Sequence, residues 1–455
     1  MRRTIFITSF HPLISRNIIR TEVISKLISN ACRVVVLVPK SKLDYFKKEF
    51  ERGEVLVEGV ETGAAIRTLR VGIMKRLAEA LPNTKRAALG RRLTLSGNKK
   101  NALYYYFFYL PAGFLGKSKL FMKLARFFDY FISPRGRFYP LFEKYKPDLI
   151  FSTDVQNEHD VCLVQGAHKK GIVVIGMVRS WDNLVTRAFR FVPDKLMVHN
   201  DIIKEQAVSI YGLKPDKIIV TGVPHYDKYV KAPFVSREEF FRRVGLDQTK
   251  KTVLFFPLCD YRIVRKGGET PTYTDKDALE ALSKISANVI VRFPPNETVT
   301  IPDFVKPVNF FYDQPGVSFG QGASITTREL NTDDDIRLAN ELYYSDVVVS
   351  GPSTAVIDAA VFDKPIIFLD FGRDGADSLV GRIFEYESEH IVNILKTGGA
   401  RVATAEDSLK KEIGLYLENP KRDSIGRTRI VKEQCFLTDG KASERVTAAI
   451  LENIK

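Results

Sequence analysis

The stretch DVVVSGPSTAVIDAAVFDKPIIFLDF, residues 346–371, reads as a buried strand, a tight turn, a short helix and a second buried strand. Two apolar runs joined in this way are typical of a parallel sheet. Gly351 and the proline after it break the first strand, and Ser353 or Thr354 is expected to cap the helix. Because free N–H groups at a helix start carry partial positive charge, the turn suits a phosphate group. The alternative is an ordinary capped helix, in which Asp358, one turn further on, is a solvated side chain.

The same alternation of strands and helices recurs along all 455 residues. Strands are predicted in the first half at 4–10, 32–39, 148–153, 173–179, 195–200 and 217–222, and in the second half at 251–258, 287–294, 346–351 and 364–371. We therefore expect an α/β fold with two Rossmann-like, doubly wound domains that face each other across a cleft. Residues 1–232 would form the N-terminal domain and 233–455 the C-terminal domain, with a last helix at 440–454 packing back toward the N-terminal domain. Ligands of such sheets bind beyond the carboxyl ends of the strands, so the site is expected on the turns after strands.

The composition is that of a folded protein in a reducing compartment. Four cysteines form no CxxC pair and no Cys/His cluster of the kind that binds zinc, so we expect buried thiols and a cytoplasmic location. The most apolar stretch, residues 102–116, is too short to span a bilayer. No transmembrane helix is expected.

The net charge of +15 is densest in residues 85–126, where basic side chains are mixed with aromatic ones. The sequence lacks the patterns that mark helix-turn-helix proteins, zinc fingers and RNA-recognition domains, so no nucleic-acid partner is expected. Two interpretations of the segment stay open. It is either a solvated loop packed on the core by its aromatic rings, or a surface that contacts an anionic membrane. The second would place the protein peripherally on the inner face of the cell membrane.

Two further turns contain polar side chains directly after predicted strands. Arg262 belongs to the basic turn at 259–270, and its guanidinium group would match phosphate oxygens unless the turn is only a basic surface loop. The turn GMVRSWDNLVTRAF at 176–189 contains the only tryptophan, Trp181, between a serine and the pair Asp182–Asn183. A tryptophan beside a carboxylate and an amide lines a pocket more often than it fills a core.

A histidine marks the last of these turns, VTGVPHYDKY at 220–229. The ordinary pKa of His225 would suit a general base or a phosphate contact near neutral pH. The alternative is a structural histidine.

Together the turns resemble those of the GT-B glycosyltransferase superfamily. The resemblance is strongest to the branch that contains CDP-glycerol glycerophosphotransferases, UDP-N-acetylglucosamine 2-epimerases and bacterial surface-polysaccharide glycosyltransferases. It rests on KIIVTGVPHYDKY at 217–229, SGPSTAVIDAAVFDKPIIFLDF at 350–371 and DGKASERVTAAILENI at 439–454. It covers roughly residues 145–230 and 250–450.

The resemblance implies that the C-terminal domain binds a nucleotide-activated donor. Ser353 and Thr354, after Gly351, would hold the pyrophosphate, and Asp358 would contact the ribose. Arg262 falls where the glycerophosphotransferases carry an arginine after the first strand of this domain.

One departure from the family pattern follows the strand VIVRFPPNE at 289–297. Pro294 stands where relatives often carry a histidine, and a proline cannot transfer a proton. Arg292 is expected to supply the missing charge, and Arg292 and His225 complete the predicted donor site.

The resemblance therefore implies a metal-independent transferase that moves a sugar from a nucleotide diphosphate donor to a cell-surface glycan or lipid-linked precursor. The candidate bases on the acceptor hydroxyl are His11, Asp182 and Asp154. The donor is a substrate, no cofactor or metal is expected, and the acidic run at 332–335 reads as the cap and first turn of a helix. The alternatives are an enzyme like the CDP-glycerol glycerophosphotransferases or the UDP-N-acetylglucosamine 2-epimerases, and a non-catalytic nucleotide-binding protein.

Overall fold

The computed structural model describes residues 2–62, 68–93, 99–258, 263–264, 274–295, 301, 303–319, 328–371 and 382–454. The chain divides into two compact units. Unit 1 consists of Met1–Asp227 together with Phe436–Lys455, and unit 2 is Lys228–Cys435. Each unit is built on one large parallel sheet, which confirms the predicted pair of Rossmann-like folds.

Unit 1 contains seven parallel strands in the order β3-β2-β1-β4-β5-β6-β7. The strands are β1 (Arg3–Thr8), β2 (Cys32–Pro39), β3 (Val55–Val60), β4 (Leu149–Ser152), β5 (Val173–Met177), β6 (Lys195–Val198) and β7 (Ile218–Val220). The strand order reverses between β1 and β4, where Ile5 pairs with Val34 on one side and with Leu149 on the other. Both faces of the central strands are buried, so these strands are continuous apolar runs in the sequence.

Helices connect these strands. They are α1 (Pro12–Ile14), α2 (Val23–Ser29), α3 (Leu43–Phe50), α4 (Leu69–Ala80), α5 (Lys85–Leu93), α6 (Lys99–Tyr104), α7 (Leu110–Leu115), α8 (Lys119–Ile132), α9 (Tyr139–Tyr145), α10 (Glu158–Lys169), α11 (Asn183–Thr186) and α12 (Asp201–Tyr211), with π-helical turns at Ser15–Ile19 and Tyr105–Tyr109. Helix α10 begins at Asn157, whose side chain accepts a hydrogen bond from the N–H of His159.

The described residues of the basic aromatic segment, 85–93 and 99–126, are mostly helical, and with the rest of α8 they project apolar side chains into solvent. Five of them form one stripe on α8, and five more lie on α6, α7 and the π-helical turn between them. We call these ten side chains the apolar face: Leu103, Tyr106, Phe107, Leu110, Phe114, Leu120, Leu124, Phe127, Phe128 and Phe131. Each is 45–80% exposed. No helix in the described part of the chain is long and apolar enough to cross a membrane.

Unit 2 contains six parallel strands in the order β11-β10-β8-β14-β15-β17. The strands of unit 2, including two short antiparallel pairs, are β8 (Thr252–Phe256), β9 (Ile263–Val264), β10 (Asn288–Arg292), β11 (Phe310–Asp313), β12 (Val317–Ser318), β13 (Arg328–Glu329), β14 (Val347–Ser350), β15 (Ile366–Leu369), β16 (Arg382–Ile383) and β17 (Ala400–Ala403). The order of the main sheet reverses between β8 and β14.

The helices of unit 2 cover this sheet. They are α13 (Arg237–Val244), α14 (Thr274–Ser283), α15 (Thr332–Tyr344), α16 (Ala355–Val361), α17 (Glu389–Lys396), α18 (Glu406–Glu418) and α19 (Ser424–Cys435). Asn331 and Asp334 form a capping box at the start of α15. The acidic run at 332–335 is therefore the first turn of a helix, as predicted.

The last helix, α20 (Ala442–Glu452), belongs to unit 1. Its apolar residues Val446 and Ile450 lie in the same core cluster as Ile5 of the central strand. The carboxylate of Asp227 accepts hydrogen bonds from two N–H groups at the start of α20, those of Ala442 at 2.9 Å and of the next residue at 2.7 Å. A carboxylate at this end also interacts favourably with the helix dipole.

Candidate functional site

In unit 2 the turn after β14 lies where the strand order of the sheet reverses, between β8 and β14. Val349 of β14 pairs with Phe255 of β8, so the two strands end side by side. Ligands of open α/β sheets bind at this position. Gly351 is required by close packing, because a Cβ atom there would lie 1.8 Å from Cδ2 of Leu258. The turn that the sequence singled out is thus at the ligand-binding edge of its sheet.

Two hydroxyl side chains follow Gly351 in this turn. Oγ of Ser353 accepts a hydrogen bond from the N–H of Ala355 at 3.3 Å. Thr354 is the N-cap residue of α16, and its side chain makes no capping hydrogen bond to the described residues. Both side chains are half-buried. Ser353 therefore provides the side-chain acceptor for the N–H of Ala355, and the Thr354 hydroxyl makes no capping hydrogen bond to the described residues.

The structure corrects the role predicted for Asp358. This residue is only 6% exposed, and the Tyr229 hydroxyl donates a hydrogen bond to its Oδ1 at 2.5 Å. The carboxylate thus fastens α16 to the segment that begins unit 2. A side chain buried in this way is not placed to contact a ribose, and it is not the solvated residue of the alternative interpretation either.

Arg292 is also placed differently from its prediction. Its Nη1 donates to Oδ2 of Asp313 at 2.5 Å and to Oε2 of Glu341 at 2.8 Å, while its Nη2 donates to the carbonyl of Asp334 at 2.9 Å. All three side chains are buried, and burial raises the pKa of Glu341 to about 7 although Arg292 opposes the shift. Because its guanidinium group is held inside this network, Arg292 supports the end of β10 and is not available to a donor phosphate.

Arg262, which was also predicted to bind the donor, lies outside the described residues, as does most of its turn at 259–270. In the described part of the chain, no group of three or more His, Cys, Asp or Glu side chains is arranged to hold a metal ion. Of the residues predicted to bind the donor, Gly351, Ser353 and Thr354 therefore remain together on one described turn, which we call the donor turn after that prediction.

In unit 1 the turns after β1, β4 and β5 lie next to one another, at the edge where this sheet also reverses its order. These turns contain His11, Asp154 and the stretch 178–183. Two of the three predicted bases therefore flank the switch point between β1 and β4, and the third follows the neighbouring strand.

His11 is the N-cap of α1, where its Nδ1 accepts a hydrogen bond from the N–H of Leu13 at 3.2 Å. Burial lowers the pKa of His11 well below its ordinary value, and the nearby cations Arg179, Lys42 and Arg187 lower it further. The ring is therefore neutral, and because Nδ1 accepts, the proton is on Nε2. In this tautomer His11 offers a hydrogen-bond donor to a ligand rather than a base.

Asp154 is buried at the end of β4, and Nη1 of Arg179 lies 2.5 Å from its Oδ2. The same arginine is among the cations that lower the pKa of His11. Arg179 was not predicted as a site residue, although its position directly after β5, beside the tryptophan turn, was a signal for it. The Asp154–Arg179 pair is a charged anchor at this edge, and Asp154 is already engaged by a cation.

Trp181 and Asn183 are buried against the carboxyl end of β6. The indole ring of Trp181 meets the His199 ring edge-on, with 4.8 Å between the ring centroids. Burial lowers the pKa of His199 to about 4. Oδ1 of Asn183 is buried without a hydrogen-bond partner among the described residues. Asp182 is only half-buried, so it is the most accessible of the three predicted bases.

His225 belongs to unit 1, not to the unit that contains the donor turn. It is only 2% exposed, and Nη2 of Arg16 donates a hydrogen bond to its Nε2. These contacts make His225 a buried structural residue that ties the segment after β7 to the turn at Ser15–Ile19. This arrangement replaces the predicted donor contact.

The chain was compared with known proteins. A family described as CDP-glycerol:poly(glycerophosphate) glycerophosphotransferase matches residues 179–452, which is more than half of the chain. A search of curated protein sequences returned no match.

Solved structures show the same fold at low sequence identity. UDP-GlcNAc 2-epimerase from Neisseria meningitidis bound to UDP-GlcNAc matches with a TM-score of 0.56, 13% identity and 100% coverage of both chains. A glycosyltransferase from Rickettsia africae matches with a TM-score of 0.50 and 12% identity, covering 99% of each chain. A variant of the wall teichoic acid polymerase TagF matches with a TM-score of 0.50 and 13% identity, covering 100% of this chain and 89% of the polymerase.

These matches confirm the GT-B fold and the branch of the superfamily that the turns resemble. They also make the chain a transferase rather than a binding protein without chemistry. The chain belongs to the CDP-glycerol:poly(glycerophosphate) glycerophosphotransferase family.

Proposed function

We propose that this transferase moves glycerol phosphate, or a related polyol phosphate, from a CDP-linked donor to a precursor of a cell-surface polymer. The observation that carries the proposal is the family match over residues 179–452, which includes the whole donor turn. Gly351, Ser353 and Thr354 lie at the switch point of the second sheet, where a nucleotide diphosphate would bind.

The reaction is a displacement at phosphorus. The acceptor hydroxyl oxygen forms a new bond to the phosphorus that carries glycerol, and the bond from that phosphorus to CMP breaks. The hydroxyl proton passes to a base, while the leaving phosphate gains negative charge. The N–H groups at the start of α16 and the Thr354 hydroxyl would stabilise this charge. We propose that no metal ion is needed, so EDTA should leave turnover unchanged.

We assign the base to Asp182. His11 carries its proton on the nitrogen that would have to accept one, and Asp154 is held by Arg179. The neutral His11 and the cation Arg179 would instead hold a phosphate of the acceptor, with His11 donating from Nε2.

The apolar face suggests where the enzyme binds its acceptor. Ten exposed apolar side chains lie on two neighbouring helical segments, and Lys117, Lys119 and Lys123 are exposed beside them. Exposed apolar side chains grouped along a helix, such as the five on α8, mark an interaction site, and flanking lysines favour anionic lipid. We propose that the face lies in the surface of an anionic membrane and brings the enzyme to a lipid-linked acceptor.

The test is release of CMP from CDP-glycerol, combined with thermal unfolding of the protein in CDP, UDP and GDP. A nucleotide at about a hundred times its Kd should stabilise the fold by about 2.7 kcal/mol. The double variant Ser353→Ala/Thr354→Ala should lose this shift, whereas Ser283→Ala, an exposed serine of the same unit, should keep it. Stabilisation by CDP alone is the expected result, and an unchanged shift in the double variant would place the nucleotide elsewhere.

A second candidate is transfer of a sugar from a UDP- or GDP-linked donor to the same kind of acceptor. It is favoured by Pro294, which stands where relatives often carry a histidine. Stabilisation by UDP or GDP but not by CDP would select it.

A further inference from the structure

The pairing between β1 and β4, the two strands at the switch point of unit 1, ends before either strand does. The last paired residues are Ile7 and Phe151, whereas the strands end at Thr8 and Ser152. Two of the turns that contain the predicted bases begin directly after these ends. Backbone pairing between the two strands therefore does not fix the spacing of these turns.

Buried side chains join the strand ends instead. The N–H of Thr153 donates a hydrogen bond to Oγ1 of Thr8 at 2.9 Å, and the Thr153 hydroxyl donates to the carbonyl of Thr8 at 2.8 Å. The Thr8 hydroxyl donates in turn to Oδ1 of Asp160 at 2.6 Å, and the Ser152 hydroxyl donates to the same oxygen at 2.7 Å. One carboxyl oxygen of α10 thus accepts a hydrogen bond from the last residue of each strand.

Asp160 is not needed to cap its own helix. It is the third residue of α10, where an acidic side chain often bonds back to the N–H of the N-cap residue. Here the N-cap is Asn157, whose N–H already donates to the carbonyl of Asp154 at 2.8 Å and whose side chain caps the helix. Burying a carboxyl group is unfavourable unless it is hydrogen-bonded, so this carboxyl serves the junction between the strands.

The residues just past the junction belong to the site described above for unit 1. His11 follows Thr8 by three residues, and Asp154 follows Ser152 by two. Asp154 in turn holds Arg179, whose Nη1 lies 2.5 Å from Oδ2 of that carboxylate. A shift of either strand end would therefore change the distance between His11 and Arg179.

We propose that Asp160 is a positioning residue, which joins the ends of β1 and β4 and thereby aligns His11 and Arg179 for one phosphate group. It touches no ligand itself. The proposal rests on the acceptor phosphate contact given to these two residues under the proposed function, and it names the buried group that supports them.

The charge of Asp160 gives the proposal a pH dependence. The hydroxyls of Thr8 and Ser152 face its carboxyl from the two strands, and the charged group that faces it is Asp154. Burial, with the charge of Asp154, raises the pKa of Asp160 to about 8. Above this pH a second negative charge competes for Arg179 and repels a phosphate. The affinity for a phosphate ester should therefore fall in the wild type and stay level in Asp160→Asn, which cannot ionise.

The probe is glycerol phosphate, titrated into the full-length protein near neutral pH and followed by phosphorus NMR. Thr8→Val and Asp160→Leu should each bind it about ten-fold more weakly, whereas Asp160→Asn, which keeps the accepting oxygen, should stay within about two-fold. Thr447→Val is the matched control, because this buried threonine of α20 donates only to a carbonyl of its own helix. CDP binding, expected in unit 2, should be unchanged in all four variants, and the fluorescence of Trp181 shows whether unit 1 is folded.

Wild-type affinity for glycerol phosphate in Thr8→Val overturns the proposal, whether or not Asp160→Leu folds. An equal loss in Thr447→Val, or parallel pH profiles of the wild type and Asp160→Asn, overturns it as well. Arg179→Gln separates this inference from the proposed function. Undiminished binding in Arg179→Gln removes the phosphate contact on which both depend, whereas a loss there with full binding in Thr8→Val removes the positioning alone.

Discussion

Replacing Asp160 by asparagine should stabilise unit 1, and more so as the pH rises. Asp160 lies in the first turn of α10 and is fully buried beneath the switch point of the first sheet. Its Oδ1 accepts hydrogen bonds from the hydroxyls of Thr8 on β1 at 2.6 Å and of Ser152 on β4 at 2.7 Å. Its Oδ2 is buried without a hydrogen-bond partner among the described residues. Burial, together with the nearby charge of Asp154, raises the pKa of Asp160 to about 8.

The sign of the effect follows from proton linkage. In the unfolded chain an aspartate has a pKa of about 3.9, so between about pH 4 and pH 8 the folded state holds a proton that the unfolded state has released. The contribution of Asp160 to the free energy of unfolding therefore falls as pH rises through this window. A shift of about four pKa units corresponds to about 5 kcal/mol, and water entry on ionisation reduces it, so we expect about 3 kcal/mol at pH 8.

Asparagine keeps the carbonyl oxygen that accepts both hydroxyls but cannot ionise. Asp160→Asn should thus match the wild type near pH 4 and exceed its stability by about 3 kcal/mol at pH 8. Urea unfolding followed by the fluorescence of Trp181, the only tryptophan, reports on unit 1 alone. Asp216→Asn, an exposed aspartate of the same unit, is the control for the change in net charge. Parallel pH profiles of the wild type and Asp160→Asn would refute the reasoning.

Four other changes test separate parts of the structure. Arg292→Met should cost about 3–5 kcal/mol in urea unfolding of unit 2, because it removes the cation paired with the buried Glu341 and leaves the buried Asp313 with only the more exposed Arg337; a loss under about 1 kcal/mol would contradict this. Gly351→Ala should cost about 1–3 kcal/mol and weaken nucleotide binding, since its Cβ would collide with a packed leucine; unchanged unfolding and nucleotide titrations would count against this. Asp182→Asn should abolish CMP release while nucleotide binding stays within about two-fold, and residual turnover near the wild-type rate would remove it as the base. Phe127→Ser/Phe131→Ser should weaken the affinity for anionic vesicles, measured by flotation, about 100-fold, because each phenylalanine that the membrane buries contributes about 1.5 kcal/mol. Undiminished flotation would show that the apolar face does not bind the membrane.

The buried central strands could be predicted from the sequence, and three edge strands could not. The runs at 32–39 and 346–351 are apolar on both faces because helices cover both sides of the sheet. β3, β11 and β17 lie at the sheet edges, and each contains half-buried or exposed residues that interrupt the apolar run. An edge strand has a neighbour on one side only, so its sequence pattern is weaker, although the fourth edge strand, β7, was predicted from the apolar run that precedes Gly222.

The site could be predicted to the level of the turn but not of the side chain. Gly351, Ser353 and Thr354 lie at a switch point. Their turn follows a buried strand of a parallel sheet, and ligands of such sheets bind beyond the carboxyl ends of the strands. Whether a charged residue faces solvent depends on which distant residues pack against it. Asp358 meets Tyr229, and Arg292 meets Glu341, and neither partner is close in sequence. Arg179 was missed for the same reason, since its role depends on contacts made across three strands.

The place of α20 has a consequence for how the protein folds as it is synthesised. Residues 436–455 complete the core of unit 1, but the ribosome makes them only after the whole of unit 2. At about 5–20 residues per second, residues 228–435 take roughly 10–40 s to synthesise. During this interval the first sheet has emerged with α2 still lacking its partner helix, and the apolar surface that Val446 and Ile450 will cover is open to chaperones. The two units therefore mature in the reverse of their order in the chain, because unit 2 is complete before unit 1 can close.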